Sequence, residues 1–417
     1  MNTGNTAWIL ACAGLVLLMT PGLAFFYGGL VRERQVVNTI KMSFIALGLI
    51  AVLWALVGYS LAFSPGNGLI GGLGWRGLEG VTAEPNPLFS DSIPHLAFMA
   101  FQMMFAIITP ALISGAVVGR MKFRAYALFI SAWSLVVYCP LAHWVWGPDG
   151  WIGVMGALDF AGGTVVHVSA GVSALVAAIV LGPRRRDGEA EANPHNVPFV
   201  VLGASLLWFG WFGFNAGSAL AADGLASLAF VTTMLAAAAA VVTWVGIEMG
   251  YTGKPSATGA AIAAVVGLVT ITPAAGFVTP MAAIVIGAVG AAMSYGTMSL
   301  LRRTALDDTL DVFACHGVGG IVGSVLTGVF ATTTVNPDGA NGVLFGNPEL
   351  LAVQTLSVLV AAAFAAAGTA AILLIVRGLT GLRTAETATR VGIDLVEHDE
   401  LAYWRDSSST WLVGGES

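Results

Sequence analysis

Apolar segments of about 20 residues recur along the whole sequence and limit its possible folds more than any other feature. A helix needs about 20 mostly apolar residues to cross the hydrocarbon core of a bilayer. The segments are continuous and lack strict alternation of polar and apolar residues, which indicates helices and not barrel strands. Charged residues make up only 10% of the chain, against about 25% in soluble domains. The sequence therefore predicts an all-α integral membrane protein.

Eleven transmembrane helices are predicted from these segments. The N-terminal segment lacks a basic region and continues into apolar sequence, so it is interpreted as the first span and not as a removed signal peptide. The eleven predicted spans are residues 7–30, 42–63, 95–118, 125–146, 163–182, 198–218, 226–249, 256–274, 279–300, 311–332 and 350–376.

Lysine and arginine residues lie almost entirely on one side of the predicted spans. Sixteen of the 17 follow odd-numbered spans, and Arg76 alone lies on the other side. The positive-inside rule then predicts an N-terminus outside the cell and a cytoplasmic C-terminus. The sixteen are Arg32, Arg34, Lys41, Arg120, Lys122, Arg124, Arg184, Arg185, Arg186, Lys254, Arg302, Arg303, Arg377, Arg383, Arg390 and Arg405.

The chain divides into two parts by polarity. Residues 1–376 form the predicted transmembrane domain, and residues 377–417 form a polar cytoplasmic tail that is too short for an independent domain. An outer loop of residues 64–94, rich in glycine and proline, is predicted to be a surface cover. The net charge of −6 gives no nucleic-acid signal, and the three scattered cysteines, predicted to be buried, suggest no metal site or disulfide.

Two histidines lie inside predicted spans, where ionisable side chains are expensive and usually functional. His167 belongs to DFAGGTVVHVSAG in span 5, and His316 follows DVFAC in span 10. Since the two spans are five apart, the pattern predicts an inverted repeat of five plus five helices, followed by a final helix, with both histidines near the midplane. Two neutral imidazoles can hydrogen-bond to each other, which suits a small polar molecule or a proton in transit.

Three acidic residues are further candidates for positions within the membrane. Asp159 precedes the helix that carries His167, and Asp311 stands at the start of span 10. Each has two interpretations: a helix N-cap, or a buried negative charge that favours a nearby cation. For Asp311 the cap is preferred, and Glu248 is a further candidate for a deep position.

Aromatic residues cluster on one face of span 3 and toward the predicted outer ends of spans 4 and 6. They can form an interfacial belt, as in most membrane proteins, or a cation–π vestibule for a small cation. The residues alone leave both interpretations open. The candidates are Phe101, Phe105, Trp144, Trp146, Trp208, Trp211 and Phe214, with Ser218 beside them.

Several long motifs resemble the ammonium transporter family, the Amt/Mep/Rh group. Besides DFAGGTVVHVSAG, they are PGLAFFYGGLVR, FQMMFAIITPALISGAVVGR, WFGWFGFNAGSAL, GKPSATGAAIAAVVGLVTITPAAGFV and LDVFACHGVGGIVGS. The resemblance covers nearly the whole chain in the right order. The bacterial Amt branch is the more similar one, because the glycine-rich signature and the lysine-proline-serine segment are both present.

The resemblance implies roles for matching residues. An outer site that recruits ammonium matches Trp146, Phe105 and Ser218, and a gate of two stacked phenylalanines matches Phe105 and Phe214. A twin-histidine pair in the pore matches His167 and His316, and a structural and electrostatic aspartate matches Asp159. The family forms homotrimers with one pore in each subunit.

The C-terminal segment resembles the family's cytoplasmic tail, which couples subunits and in many members meets a PII-type signal protein. The family usually has His-Gly-Glu where this chain has His398, Asp399 and Glu400. A turn at this position can change without the glycine. Of the properties that the resemblance implies, PII regulation is therefore the one most affected by this difference.

Together these observations predict an ammonium transporter in the inner cell membrane. It would bind NH4+ at the outer site, deprotonate it and conduct NH3 past the histidines, with separate proton transfer. The alternatives are a passive NH3 or CO2 gas channel and an ammonium sensor that signals through a PII-type partner. No cofactor, metal or enzymatic activity is predicted, since no nucleophile–base pair, phosphate loop or metal-ligand spacing is present.

Overall fold

The computed structural model describes residues 1–184 and 194–403, and most of that chain is helical. In these ranges ten helices are long and apolar enough to cross a membrane. The all-α prediction is confirmed. The ten are α1 Thr3–Leu30, α2 Glu33–Phe63, α3 His95–Val117, α4 Phe123–Val154, α5 Gly163–Leu181, α6 Val197–Gly217, α7 Gly224–Thr252, α9 Pro280–Leu301, α10 Phe313–Phe330 and α11 Pro348–Thr380.

The eighth predicted span, residues 256–274, corresponds to a shorter helix, α8 Ala257–Ile271. Its 15 residues reach about 22 Å at 1.5 Å per residue, less than the roughly 30 Å hydrocarbon core of a bilayer. The helix ends before Pro273, and the chain turns through residues 272–278. The count of eleven spans therefore stays a prediction.

Two helices begin with π-helical turns that hold the histidines. Gly163–Val168 opens α5 and contains His167, and Phe313–Gly317 opens α10 and contains His316. A π-turn widens the helix by one residue per turn and is frequent at functional sites.

Helices α5 and α10 cross at glycines. A Cβ added to Gly171 would lie 2.1 Å from the backbone nitrogen of Gly317, and a Cβ on Gly320 would lie 3.0 Å from the Cβ of His167. Only glycine allows backbones to approach this closely. The crossing therefore sets the distance between the two histidine-bearing segments.

Residues 64–94 cover one face of the helical bundle, which we call the hairpin face. The predicted loop contains two short antiparallel hairpins, β1 Gly66–Asn67 with β2 Ile70–Gly71 and β3 Pro85–Asn86 with β4 Ser90–Pro94. Beneath them, the ring of Phe89 stacks on Phe98 with centroids 4.2 Å apart.

The C-terminal segment packs against the opposite face, which we call the tail face. After α11, which extends four residues past the predicted end at 376, come two short helices, α12 Glu386–Val391 and α13 Ile393–His398. The carboxylate of Asp394 accepts hydrogen bonds from the backbone N–H groups of Val37 (3.0 Å) and Asn38 (2.8 Å), near the start of α2. The tail is thus held by contacts with the helical bundle.

Asp399, where the family usually has glycine, follows α13. Its backbone is left-handed, with φ of 53°. Aspartate tolerates this conformation better than most residues because its short side chain can hydrogen-bond locally. The left-handed turn is therefore present without the glycine.

The three cysteines are all buried, as predicted.

Candidate pore site

His167 and His316 meet in the interior of the protein. Their Nδ1 atoms are 3.3 Å apart, and the rings are nearly parallel, with centroids 5.3 Å apart and an interplanar angle of 25°. Both side chains are buried. One Nδ1 must donate and the other accept, so the pair is a hydrogen bond between two neutral rings of opposite tautomer, or between one neutral and one protonated ring.

A narrow cavity adjoins the histidine pair. Apart from the two imidazoles its walls are almost entirely apolar, and the Nε2 atom of His167 has no hydrogen-bond partner among the described residues. Leu23, Ile108 and Val265 are among the wall residues. The site therefore offers polar nitrogen atoms within an otherwise apolar passage.

Phe214 lines the cavity, and Phe105 packs against it on the side toward Trp146. The rings of Phe105 and Phe214 have centroids 4.2 Å apart and an interplanar angle of 36°. Phe214 also lies over the imidazole of His167, with centroids 6.0 Å apart. Both phenylalanines are buried. The structure thus places the predicted gate residues in contact with each other, with Phe214 next to His167.

Trp146 continues this aromatic series. Its ring meets Phe105 edge-on, with centroids 6.0 Å apart, and its indole nitrogen donates to the backbone carbonyl of Asp159 at 2.9 Å. Ser218 lies one turn after Phe214, and its hydroxyl donates to the Phe214 carbonyl at 2.9 Å. Trp146 and Phe105 therefore touch, while the hydrogen bond of Ser218 stays within the end of α6.

Asp159 caps the π-helical turn that carries His167. Its two carboxylate oxygens accept four backbone N–H groups, from Gly162 (2.9 Å), Gly163 (2.6 Å), Thr164 (2.9 Å) and Val165 (3.1 Å). The predicted cap geometry is thus present. Asp159 also links Trp146 to the helix of His167, because its backbone carbonyl accepts the indole N–H while its carboxylate caps the helix.

Comparisons with known proteins identify the family of this chain. The model of the Ammonium Transporter Family matches residues 7–403. The chain belongs to the ammonium transporter family. It is 50% identical to an ammonium transporter of Bacillus subtilis over 404 residues, which cover 97% of this chain and 99% of that protein.

Solved structures of the family share the fold. The crystal structure of Saccharomyces cerevisiae Mep2 is similar with a TM-score of 0.87 and 37% identity, covering 93% of this chain and 88% of that one. A structure named Sensor Amt Protein gives a TM-score of 0.87 at 28% identity, covering 95% of this chain and 98% of that one. Family membership and the ten long apolar helices make this chain a multi-pass membrane protein.

The sequence-based assignment of the second helix cap was wrong. The carboxylate of Asp308 accepts the backbone N–H of Phe313 at 2.6 Å, whereas the carboxylate of Asp311 lies 3.3 Å from Arg302 in a partly exposed ion pair. Asp311 has a left-handed backbone, with φ of 57°, just before the helix begins. Asp308 precedes His316 by eight residues, as Asp159 precedes His167. The equivalent of Asp159 is therefore Asp308.

The other acidic candidate, Glu248, lies outside the pore site. Its carboxylate accepts from the backbone N–H of Ser256 at 2.8 Å and from the indole of Trp244 at 3.2 Å. It braces the turn between α7 and α8.

Trp211 was assigned to the outer aromatic group, but its indole lies against the imidazole of His167, with centroids 5.3 Å apart and an angle of 21°. Its indole nitrogen donates to the hydroxyl of Thr272 at 2.9 Å. Trp144, by contrast, packs on Phe364, with centroids 4.5 Å apart. Helical spacing in the sequence could have distinguished Trp211 from Trp144. Trp211 and Phe214 are three residues apart and therefore share a helix face.

Proposed function

We propose that this protein transports ammonium, and that the contact between His167 and His316 within a narrow apolar cavity carries the mechanism. Membership of the ammonium transporter family supports the substrate. Size and charge alone do not separate NH4+ from K+. The chemistry must therefore use what distinguishes ammonium, which donates hydrogen bonds and can lose a proton.

The first step is recruitment at Trp146, Phe105 and Ser218. Aromatic faces attract cations by about 0.5–2 kcal/mol, and the contact between Phe105 and Trp146 supplies two such rings. The hydroxyl of Ser218 can accept a hydrogen bond from ammonium while it donates to the Phe214 carbonyl.

The second step is deprotonation as the substrate passes Phe105 and Phe214. A charge at the bilayer centre costs at least about 2.5–3.5 kcal/mol, and desolvation lowers the pKa of a buried amine by up to about 3–5 units. Ammonium escapes the cost by giving up its proton, and K+ cannot. This asymmetry excludes K+ without a size filter.

The third step is movement of NH3 past the histidines, with the proton transferred separately along the pair. Each imidazole can accept a proton at one nitrogen while releasing one from the other. Asp159 acts through structure and electrostatics, because its charge lies at the base of the helix that presents His167.

The membrane arrangement is part of the proposal. We propose eleven spans including α8, related as five plus five helices and a final one, in the inner cell membrane. The hairpin face is then outside and the tail face cytoplasmic. Residues 1–376 form the transport domain, and residues 377–417 form a tail that can meet a PII-type protein in a homotrimer. The basic residues Arg185, Arg186 and Arg405 and the side chain of Arg390 lie outside the described part of the chain.

The test is the current evoked by an ammonium jump in proteoliposomes, compared with a K+ jump and with the His167→Ala variant. We expect a transient with NH4+, none with K+, and an altered transient in the variant. Unchanged ammonium current and K+ exclusion in both His167→Ala and His316→Ala would overturn the mechanism.

The same experiment distinguishes two alternative functions, a neutral channel and a sensor. Internal alkalinisation without current would identify a neutral NH3 channel, which could also pass CO2. The sensor hypothesis has one supporting observation, the similarity to the structure named Sensor Amt Protein. Binding of a PII-type protein on ammonium addition, without flux, would favour it.

A further inference from the structure

Gln354 lies on α11, and its side chain is buried. Its Oε1 atom accepts the backbone N–H of Leu158 at 2.7 Å. Its Nε2 atom donates to the backbone carbonyl of Leu158 at 2.8 Å and to that of Ser324, on α10, at 3.1 Å. One side chain therefore joins the final helix both to α10 and to the connection between α4 and α5.

The three bonds of Gln354 require a primary amide. The N–H of Leu158 needs an acceptor and the two carbonyl oxygens need two donors, and the oxygen and NH2 group of an amide supply all three. A glutamate carboxylate would face both carbonyl oxygens with no proton to donate, and a protonated glutamate has a single O–H for the two. The chemistry of the site therefore selects glutamine over glutamate at nearly equal size.

The connection between α4 and α5 is irregular where Gln354 meets it. Residues 155–162 contain no helix or strand, and Leu158 is half-buried within them. Backbone N–H and carbonyl groups that are shielded from water need partners wherever the chain leaves regular structure. Gln354 pairs both groups of Leu158, as an adjacent strand does at a hydrogen-bonded pair of an antiparallel sheet.

Leu158 immediately precedes Asp159, which contacts two parts of the candidate pore site. The backbone carbonyl of Asp159 accepts the indole N–H of Trp146 at 2.9 Å. Its carboxylate caps the π-helical turn that carries His167. A shift of the backbone at Leu158 would therefore move the acceptor to which the Trp146 indole is bonded.

We propose that Gln354 is a positioning residue for ammonium recruitment: its amide fixes the backbone of Leu158, so that the Asp159 carbonyl keeps the indole of Trp146 in the orientation that receives the cation. This role rests on the proposed function of the outer site. Since Gln354 acts through the Trp146 indole, its loss should weaken ammonium binding more than it slows conduction through a saturated site.

The contact itself is tested on the native protein by hydrogen exchange at the amide of Leu158. We expect Leu158 to be protected about as strongly as Val165, whose N–H the Asp159 carboxylate accepts, although Leu158 lies outside the helices. Exchange of Leu158 at the rate of an open loop would overturn the inference. Because no substitution is needed, this result is obtained even if variants of Gln354 fail to fold.

The positioning role is tested by the ammonium-evoked current of Gln354→Glu in proteoliposomes. The half-saturating ammonium concentration should rise roughly two- to tenfold, the range to which one net hydrogen bond corresponds, while the maximal current changes less. The control Gln35→Glu makes the same chemical change at a half-buried position near the start of α2 and should behave as wild type. Wild-type half-saturation in Gln354→Glu would overturn the positioning role.

A second background separates positioning of Trp146 from a general loss of structure. Trp146→Phe keeps an aromatic ring but removes the indole N–H that donates to the Asp159 carbonyl. In that background Gln354→Glu should raise the half-saturating concentration by less than about twofold, because substitutions that act through one contact are not additive. Equal fold-changes in both backgrounds would contradict the route through Trp146. Absence of ammonium current in the wild type, with Leu158 protected, would count against the proposed function and leave the contact between Gln354 and Leu158 supported.

Discussion

The carboxylate of Asp159 satisfies four buried backbone donors, so replacing it should be costly. Asp159→Asn turns an NH2 donor toward these N–H groups and leaves at least one without an acceptor. Each buried donor without a partner costs about 1–3 kcal/mol. We expect a loss of about 2–4 kcal/mol in unfolding free energy, measured by denaturation in detergent.

The matched control is Asp223→Asn. Asp223 caps α7 at an exposed end by accepting from Leu225 and Ala226. Asparagine is as good as aspartate at an N-cap, so this change should cost no more than about 0.5 kcal/mol. Equal effects of the two substitutions would refute the role assigned to Asp159.

Asp308, at the start of the segment that carries His316, should make stability depend on pH. Burial raises its pKa to about 7, against the lowering effect of the Phe313 N–H bond. The unfolded carboxyl releases its proton near its ordinary pKa of 3.8, so folded protein binds more protons between the two values. Stability should therefore fall as pH rises from about 4 to about 7.

The variant Asp308→Asn should lose this slope, as measured by the unfolding midpoint against pH. Asp307→Asn serves as the contrasting variant, because the pKa of Asp307 is shifted in the opposite direction. Burial would raise the pKa of Asp307, but its bonds with Arg184 and Arg120 outweigh this and lower it. Its stabilisation is present above its ordinary pKa and lost as pH falls, so this variant should be destabilised at neutral pH. An unchanged slope in Asp308→Asn would contradict the assignment.

At the scale of elements, the crossing of α5 and α10 determines the geometry of the histidine pair. Gly171→Ala would place a Cβ 2.1 Å from the Gly317 nitrogen, so the helices must separate or tilt. We expect ammonium flux to fall at least about tenfold, which corresponds to about 1.4 kcal/mol. The control is Gly246→Ala on α7, where a Cβ meets nothing within 4 Å. Normal flux in a folded Gly171→Ala protein would show that flux does not depend on the close approach of α5 and α10.

At the scale of the whole molecule, polar contacts attach the tail to the bundle. Asp394→Ala removes the acceptor for the Val37 and Asn38 N–H groups, and loss of such a cap costs about 0.5–2 kcal/mol. Hydrogen exchange of residues 393–398 should accelerate by roughly two- to thirtyfold. Asp399→Asn, which keeps a residue tolerant of the left-handed turn, should leave exchange unchanged. Equal acceleration in both variants would contradict the docking role of Asp394.

The sequence by itself determined that this chain lies in a membrane and which segments are helical, and it selected two histidines as candidates for the pore. These properties follow from local composition, because a charge or an open backbone in hydrocarbon is costly wherever it occurs. Only the tertiary structure decided that Asp308 and not Asp311 caps the second π-helical turn, and that Trp211 and not Trp144 lies against His167. Each depends on the exact path of a turn or on contact between residues far apart in the chain. Apolar periodicity specifies burial, but it does not specify the neighbour against which a side chain is buried.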